Sequence, residues 1–337
     1  MRTALLPSVL LLPFLAGCGS DPAQASSMSI TPPVGLEKLE LIKPRVDNEL
    51  TAEKAALGKM LFFEPRLSGS GKMGCVNCHY PDKAFTDGVA HSTKDNGSKN
   101  SRNAPTMYNV GYYEHLYWDG RTHGLEENVP AAWKGQLGGK PEEVAKTLNG
   151  IPAYKAKFQA AFGKDASEDT IVQALSAFLR ALRSGNSAYD KAMAGDENAM
   201  SADAKDGQKL FMAKGCMTCH TPPLFTDRMY HNVGIGMSGE SPDLGRAKAS
   251  KNDADNGKFK TPTLRDVGKT APYFHDGSVK TLEEAVKLMA GGGIDNPNKD
   301  PALTMKYELS DEEVGQLVAF LKSLDGNVPF EAPKLPE

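Results

Sequence analysis

Two stretches of the chain share a pattern that fits one kind of chemistry: Cys75-Val76-Asn77-Cys78-His79 and Cys216-Met217-Thr218-Cys219-His220. A pair of cysteines separated by two residues, with a histidine directly after, is the attachment pattern for haem c. The spacing lets both sulfurs reach the two vinyl groups on one edge of the macrocycle. The histidine then lies under the iron as proximal ligand. A redox dithiol has no need of that histidine. A zinc site would require both cysteine pairs to converge on one ion. The residues therefore point to two covalently bound haem c groups, attached through Cys75, Cys78, Cys216 and Cys219, with His79 and His220 as ligands of the haem iron.

The flanks of the two motifs repeat. Gly58-Lys59-Met60-Leu61-Phe62 precedes the first and Gly207-Gln208-Lys209-Leu210-Phe211 the second; Pro81 with Phe85-Thr86-Asp87 follows one, and Pro222 with Phe225-Thr226-Asp227 the other. One haem-binding module is thus present twice. The elements around it read as helices: Ile171, Leu175, Phe178, Leu179 and Leu182 recur at helical spacing, as do Leu317, Phe320, Leu321 and Leu324. Thr281 with Glu284, and Ser310 with Glu313, fit capping boxes. Long Gly-, Pro- and Asn-rich connections run from Gly88 to Pro105 and from Gly234 to Thr261, as suits loops that wrap a cofactor. The expected fold is mainly α: two cytochrome c-type haem domains, over 46–185 and 200–328, packed with a haem–haem interface and joined through residues 184–202.

At 337 residues and a net charge of −3, the chain has room for two ordinary domains and lacks the basic field a nucleic-acid partner would need. Arg2 and the apolar run Ala4 to Leu15 form a targeting segment too short to span a bilayer. It ends Leu15-Ala16-Gly17-Cys18, which resembles a bacterial lipobox. Residues 1–17 then read as a lipoprotein signal peptide and 18–45 as a tether from a lipid anchor at Cys18. An ordinary signal peptide with an incidental cysteine is the alternative. By resemblance to Gram-negative lipoproteins, Gly19 and Ser20 after Cys18 favour the periplasmic face of the outer membrane. Of the five cysteines, one lies in the lipobox and four in the haem motifs, so none remains for a disulfide.

Further motifs carry a family resemblance. Arg102-Asn103-Ala104-Pro105-Thr106, Tyr117-Trp118-Asp119-Gly120-Arg121, Thr261-Pro262-Thr263-Leu264-Arg265 and Ala271-Pro272-Tyr273-Phe274-His275-Asp276-Gly277-Ser278 resemble, in matching order from about Thr51 to Leu324, the bacterial di-haem cytochrome c peroxidase family, which includes the MauG-type enzymes. The resemblance implies a peroxide-reacting N-terminal haem and a C-terminal haem that receives electrons. It implies Trp118 between the haems and Met289 as the second axial ligand of the C-terminal iron, where MauG-like members carry a tyrosine; Tyr307 lies too far along to match. A thioether there favours reduced iron and raises the potential. The family's distal glutamate falls on Gln136 and its distal glutamine on Asn128, so an amide stands where a proton relay is expected; Glu126, Glu127 and His123 are alternative relays. The position of the resting-state histidine cap falls on Asp95, which implies an iron that is open or only weakly capped, with His91, four residues earlier, as the alternative cap. His275 could contact a haem propionate or serve structure, and His115 and His231 have no assignable role. The resemblance also implies a Ca2+ between the domains, held by Asn103, Thr270 and Pro272.

The expected function is reduction of hydrogen peroxide with electrons from a small periplasmic cytochrome c or copper protein. Two alternatives stay open: a MauG-like enzyme that oxidatively modifies a partner protein, and a non-catalytic di-haem electron carrier. A homodimer is compatible with all three.

Overall fold

The computed structural model describes residues 30–337; the signal segment and Cys18 lie outside the described residues. Helices dominate: α1 (Ala52–Phe63), α2 (Leu125–Gln136), α3 (Pro141–Asn149), α4 (Pro152–Phe162), α5 (Glu168–Ala181), α6 (Ala188–Met193), α7 (Ala202–Ala213), α8 (Ala247–Ser250), α9 (Leu282–Ala290) and α10 (Asp311–Lys322). Two short antiparallel ribbons, β1 (His115–Leu116) with β2 (Thr122–His123) and β3 (Tyr230–His231) with β4 (Phe259–Lys260), and several 3-10 turns complete the described elements. Both expected capping boxes form, Thr281 with Glu284 on α9 and Ser310 with Glu313 on α10.

The repeated flanks are the helix crossings of two equivalent modules. In the first, α1 crosses α5 at Gly58, where an added Cβ would lie 1.9 Å from the Ala174 carbonyl oxygen. In the second, α7 crosses α10 at Gly207, where the corresponding distance to the Gln316 oxygen is also 1.9 Å. Only a residue without a side chain permits these approaches. The phenylalanine four residues on seals each crossing. Phe62 packs on Phe178 at 5.1 Å and on Phe85 at 5.8 Å; Phe211 packs on Phe320 at 5.1 Å and on Phe225 at 6.4 Å. Each trio is buried in its own hydrophobic core, so the chain has two cores rather than one.

Both ends of the described chain return to the first core. Part of the segment expected to be a tether is packed structure: Leu36 is fully buried, and the Ile42 N–H donates to the Gly111 carbonyl at 2.9 Å. The Pro-, Ser- and Ala-rich composition gives way after Pro33 to Val34, Leu36, Leu39, Leu41 and Ile42, which have apolar surface to bury. At the other end Phe330 stacks on Phe63 at 5.8 Å and meets Phe85 edge-on at 5.2 Å.

Candidate haem centres and the junction between them

Each CxxCH run opens as one 3-10 turn, Cys75–Asn77 and Cys216–Thr218, following the crossing helix of its module in the chain. His79 Nδ1–H donates to the Phe85 carbonyl at 2.8 Å, and His220 Nδ1–H to the Phe225 carbonyl at 2.9 Å. That bond fixes the tautomer and leaves Nε2 with the lone pair an iron needs. Burial lowers the pKa of both imidazoles, which favours the neutral, ligating form. The accepting phenylalanines sit in the left-handed region, φ 58° and 53°. A threonine hydroxyl latches the carbonyl just before each of them: Thr106 on Ala84 and Thr263 on Leu224, both at 2.6 Å.

The four cysteines form no disulfide. Burial pushes the Cys75 thiol up to about 12 and the Cys216 thiol to about 11. A redox dithiol requires the opposite shift, whereas thioether attachment does not. The donor sets therefore fit haem c at both sites. Cys219 also approaches Asp227 and His231 closely enough to suggest a metal trio; its commitment to haem removes it from that role, and His231 instead bridges Asp227 (2.9 Å) and Asp300 (2.6 Å).

The geometry extends the repeat well past the haem motifs. Ala104-Pro105-Thr106-Met107-Tyr108-Asn109-Val110-Gly111 superimposes in pattern on Thr261-Pro262-Thr263-Leu264-Arg265-Asp266-Val267-Gly268, and Tyr117-Trp118-Asp119-Gly120 on Phe274-His275-Asp276-Gly277. Backbone angles match pairwise: Asn109 and Asp266 have φ 65° and 61°, Tyr117 and Phe274 65° and 66°. This second tier was readable as paired Pro-Thr and Asp-Gly runs at one constant offset, but the identities differ enough to hide it.

These segments meet at the junction and exchange hydrogen bonds reciprocally. Asn103 N–H donates to the His275 carbonyl, and Lys260 N–H to the Trp118 carbonyl, each at 2.7 Å. Trp118 is half-buried there, its indole N–H on the Asn103 carbonyl at 2.9 Å, with the His275 ring 6.5 Å away. His275 stacks on Phe259 at 3.5 Å. Arg102 binds Asp119 beside Trp118 (2.7 Å) and, bidentately, Asp243 of the second module (2.7 and 2.9 Å).

The remaining expected residues divide. Gln136 ends α2, and its carbonyl accepts the Asp95 N–H at 3.0 Å, so the distal and cap positions are neighbours. The Asp95 carboxylate is occupied by Ser70. Glu126 is bound to Arg180 and Asn48, and Glu127 accepts from the His123 N–H, so neither is free to relay a proton. Asn128 donates to Thr122. Met289 lies half-buried in the last turn of α9. For Ca2+, Asn103 Nδ2 donates to the Val89 carbonyl. That leaves Asn103 Oδ1 and the carbonyls of Thr270 and Pro272 without a hydrogen bond among the described residues, which fits an oxygen-ligand cation. Among the described residues no helix is long and apolar enough to cross a membrane.

Comparison with known proteins agrees with this architecture. The family model for di-haem cytochrome c peroxidase matches residues 52–198, and that for cytochrome c matches 204–325. The methylamine utilization protein MauG of Methylophilus methylotrophus is 36% identical, over 93% of this chain and 95% of its own length. A cytochrome c551 peroxidase of Nitrosomonas europaea is 35% identical, over 93% of this chain and 90% of its own. Among solved structures, a MauG-like protein associated with microbial copper homeostasis superimposes with a TM-score of 0.79 at 30% identity, covering 86% of this chain and 93% of that one.

Proposed function

Since the chain belongs to the di-haem cytochrome c peroxidase family, an oxidoreductase family acting on peroxide, we propose that it reduces hydrogen peroxide to water with electrons from a small periplasmic cytochrome c or copper protein. One observation carries this reading. The helices α2 and α9 begin at equivalent residues, Leu125 and Leu282. At the turn where α9 offers the Met289 thioether, α2 offers the methyl group of Ala132. A thioether can close an iron's sixth position and a methyl group cannot. This supports a peroxide-reacting role for the site of His79, while Met289 would ligate the haem held by His220 and favour its reduced state.

When bound, the haems supply the one-electron redox chemistry of iron. The chain's own residues do the rest. His79 and His220 would hold the haem irons through Nε2, each imidazole oriented by a backbone carbonyl. Trp118 provides an indole between the two sites, its N–H fixed on Asn103. Gln136 orients peroxide through an amide that donates and accepts but does not shuttle a proton. Asn103, Thr270 and Pro272 would hold a Ca2+, which would tie the junction segments together. A lipid anchor at Cys18 would hold the enzyme at the periplasmic face of the outer membrane.

Steady-state turnover of peroxide by the holoprotein with reduced donor cytochrome is the direct test, and negligible consumption refutes the reading. Gln136 also favours a second reading, a MauG-like enzyme that spends peroxide on modifying a partner protein, since slow turnover tolerates an amide. Mass spectrometry of co-secreted proteins, with and without this enzyme, separates the two. A pure electron carrier would have two six-coordinate low-spin haems, so a high-spin ferric signal excludes it.

A further inference from the structure

The ribbon β1–β2 carries Trp118 in its connecting turn, and its stem is built from metal-ligand residues. His115 and His123 are directly opposed in the ladder, with ring centroids 4.3 Å apart at 62°. Glu114 precedes His115, and one ligand atom from each of the three lies within 4.8 Å of the others. Two imidazoles and a carboxylate form a borderline donor set suited to Zn2+ or Cu2+ rather than Ca2+. A second feature singles out the cluster. His115 Nδ1 is sealed from solvent and makes no well-formed hydrogen bond, the Gly120 backbone being its weak neighbour, an uncommon state for a buried polar atom.

We propose that Glu114, His115 and His123 bind one divalent transition-metal ion, Zn2+ or Cu2+, at the stem of the hairpin that presents Trp118. Binding an ion about 2 Å from each ligand atom would draw the three atoms closer together than the 4.8 Å within which they now lie. Glu114 and His123 also line a cavity of about 220 Å³, together with Arg45 and Glu127, whereas His115 lies outside its lining. Arg45 Nη2 sits 3.2 Å from His123 Nδ1 and competes with the ion for that face of the ring. The ion would staple the two ends of the hairpin and so restrain the indole at its tip. The site is separate from the haem ligands and from the proposed Ca2+ ligands, so it stands or falls independently of the peroxidase reading.

The test is calorimetric titration of chelator-treated, Ca2+-saturated holoprotein with Zn2+, and with Cu2+ followed by electron paramagnetic resonance. One ion per chain is expected, with nitrogen hyperfine structure on the copper signal. His123→Gln should weaken the affinity at least tenfold, and exposed Glu114→Gln should weaken it measurably. Arg45→Gln should leave it unchanged or tighter. No saturable binding, or wild-type affinity in both His123→Gln and Glu114→Gln, overturns the proposal. So does loss of binding in Arg45→Gln. If His123→Gln does not retain its haem spectrum, Glu114→Gln and Arg45→Gln decide.

Discussion

Substituting Arg102→Met would remove a cation that both modules use, while keeping most of the side-chain volume. The guanidinium is 13% exposed, against 7% for Asp119 and 23% for Asp243. Breaking a buried charge cluster by deleting one partner costs about 3–5 kcal/mol. Because Asp243 retains some solvent, the lower end applies, about 3 kcal/mol near neutral pH. Burial alone would raise the Asp243 pKa, but Arg102 and the Gly245 N–H outweigh it and hold the carboxyl at about 2, below its ordinary 3.8. A depression of that size corresponds to roughly 2 kcal/mol. Its sign is definite: the contribution is complete above the unfolded pKa and is lost as pH falls from about 4 toward 2. The gap between wild type and Arg102→Met should therefore narrow by about 1 kcal/mol at roughly pH 3. Guanidinium unfolding of both holoproteins at the two pH values measures it, and protonation of haem ligands common to both cancels in the difference. A gap under about 1 kcal/mol near pH 7, or one that widens on acidification, would refute the shared-cation account.

Two further substitutions probe the modules. Gly58→Ala and Gly207→Ala should each destabilise by at least about 1–3 kcal/mol, because the new methyl group meets a carbonyl of the crossing helix. Gly135→Ala, with open space around it on α2, should instead stabilise by roughly 0.5–1 kcal/mol; thermal unfolding compares all three. Arg265→Met should cost about 3–5 kcal/mol by denaturant unfolding. It strands Asp190, whose two oxygens accept from Arg265 at 2.8 and 2.9 Å with both side chains almost fully buried.

The haem sites were legible because covalent chemistry fixes residue type and spacing together. Cys, Cys and His at one spacing leave few other uses, and the duplicated Gly-x-x-x-Phe flanks carry the helix crossing in the sequence itself. The junction was less legible. Arg102, Asp119 and Asp243 are ordinary charged residues far apart in the chain, and nothing local distinguishes a clamp from a solvated surface. The Pro-Thr and Asp-Gly tier was hidden because it preserves backbone angles rather than side chains. Asn109 and Asp266 share a left-handed turn, while Trp118 and His275 share a position and nothing else. The chain termini misled in the opposite direction. Low-complexity composition before Pro33 suggested a tether, yet the apolar residues just after it are packed against the first core.

Duplication alone would give two equivalent haem sites, and equivalent sites do not favour moving an electron one way. The asymmetry comes from a few positions where the copies diverge on a shared scaffold. Ala132 takes the place of Met289 in the repeat, so under the proposed function only the second copy offers a thioether to its iron. Trp118 faces His275, which places one oxidisable ring at the junction and opposes it with a ring that burial holds at a pKa of about 4, neutral under ordinary conditions. Both members of that pair are pinned through their backbones by the reciprocal bonds from Lys260 and Asn103. Their separation is therefore set by the scaffold and not by side-chain packing. That division of labour leaves the ring chemistry free to differ between copies without moving the centres apart. The symmetric part of the sequence builds two sites, and the broken part assigns each its role.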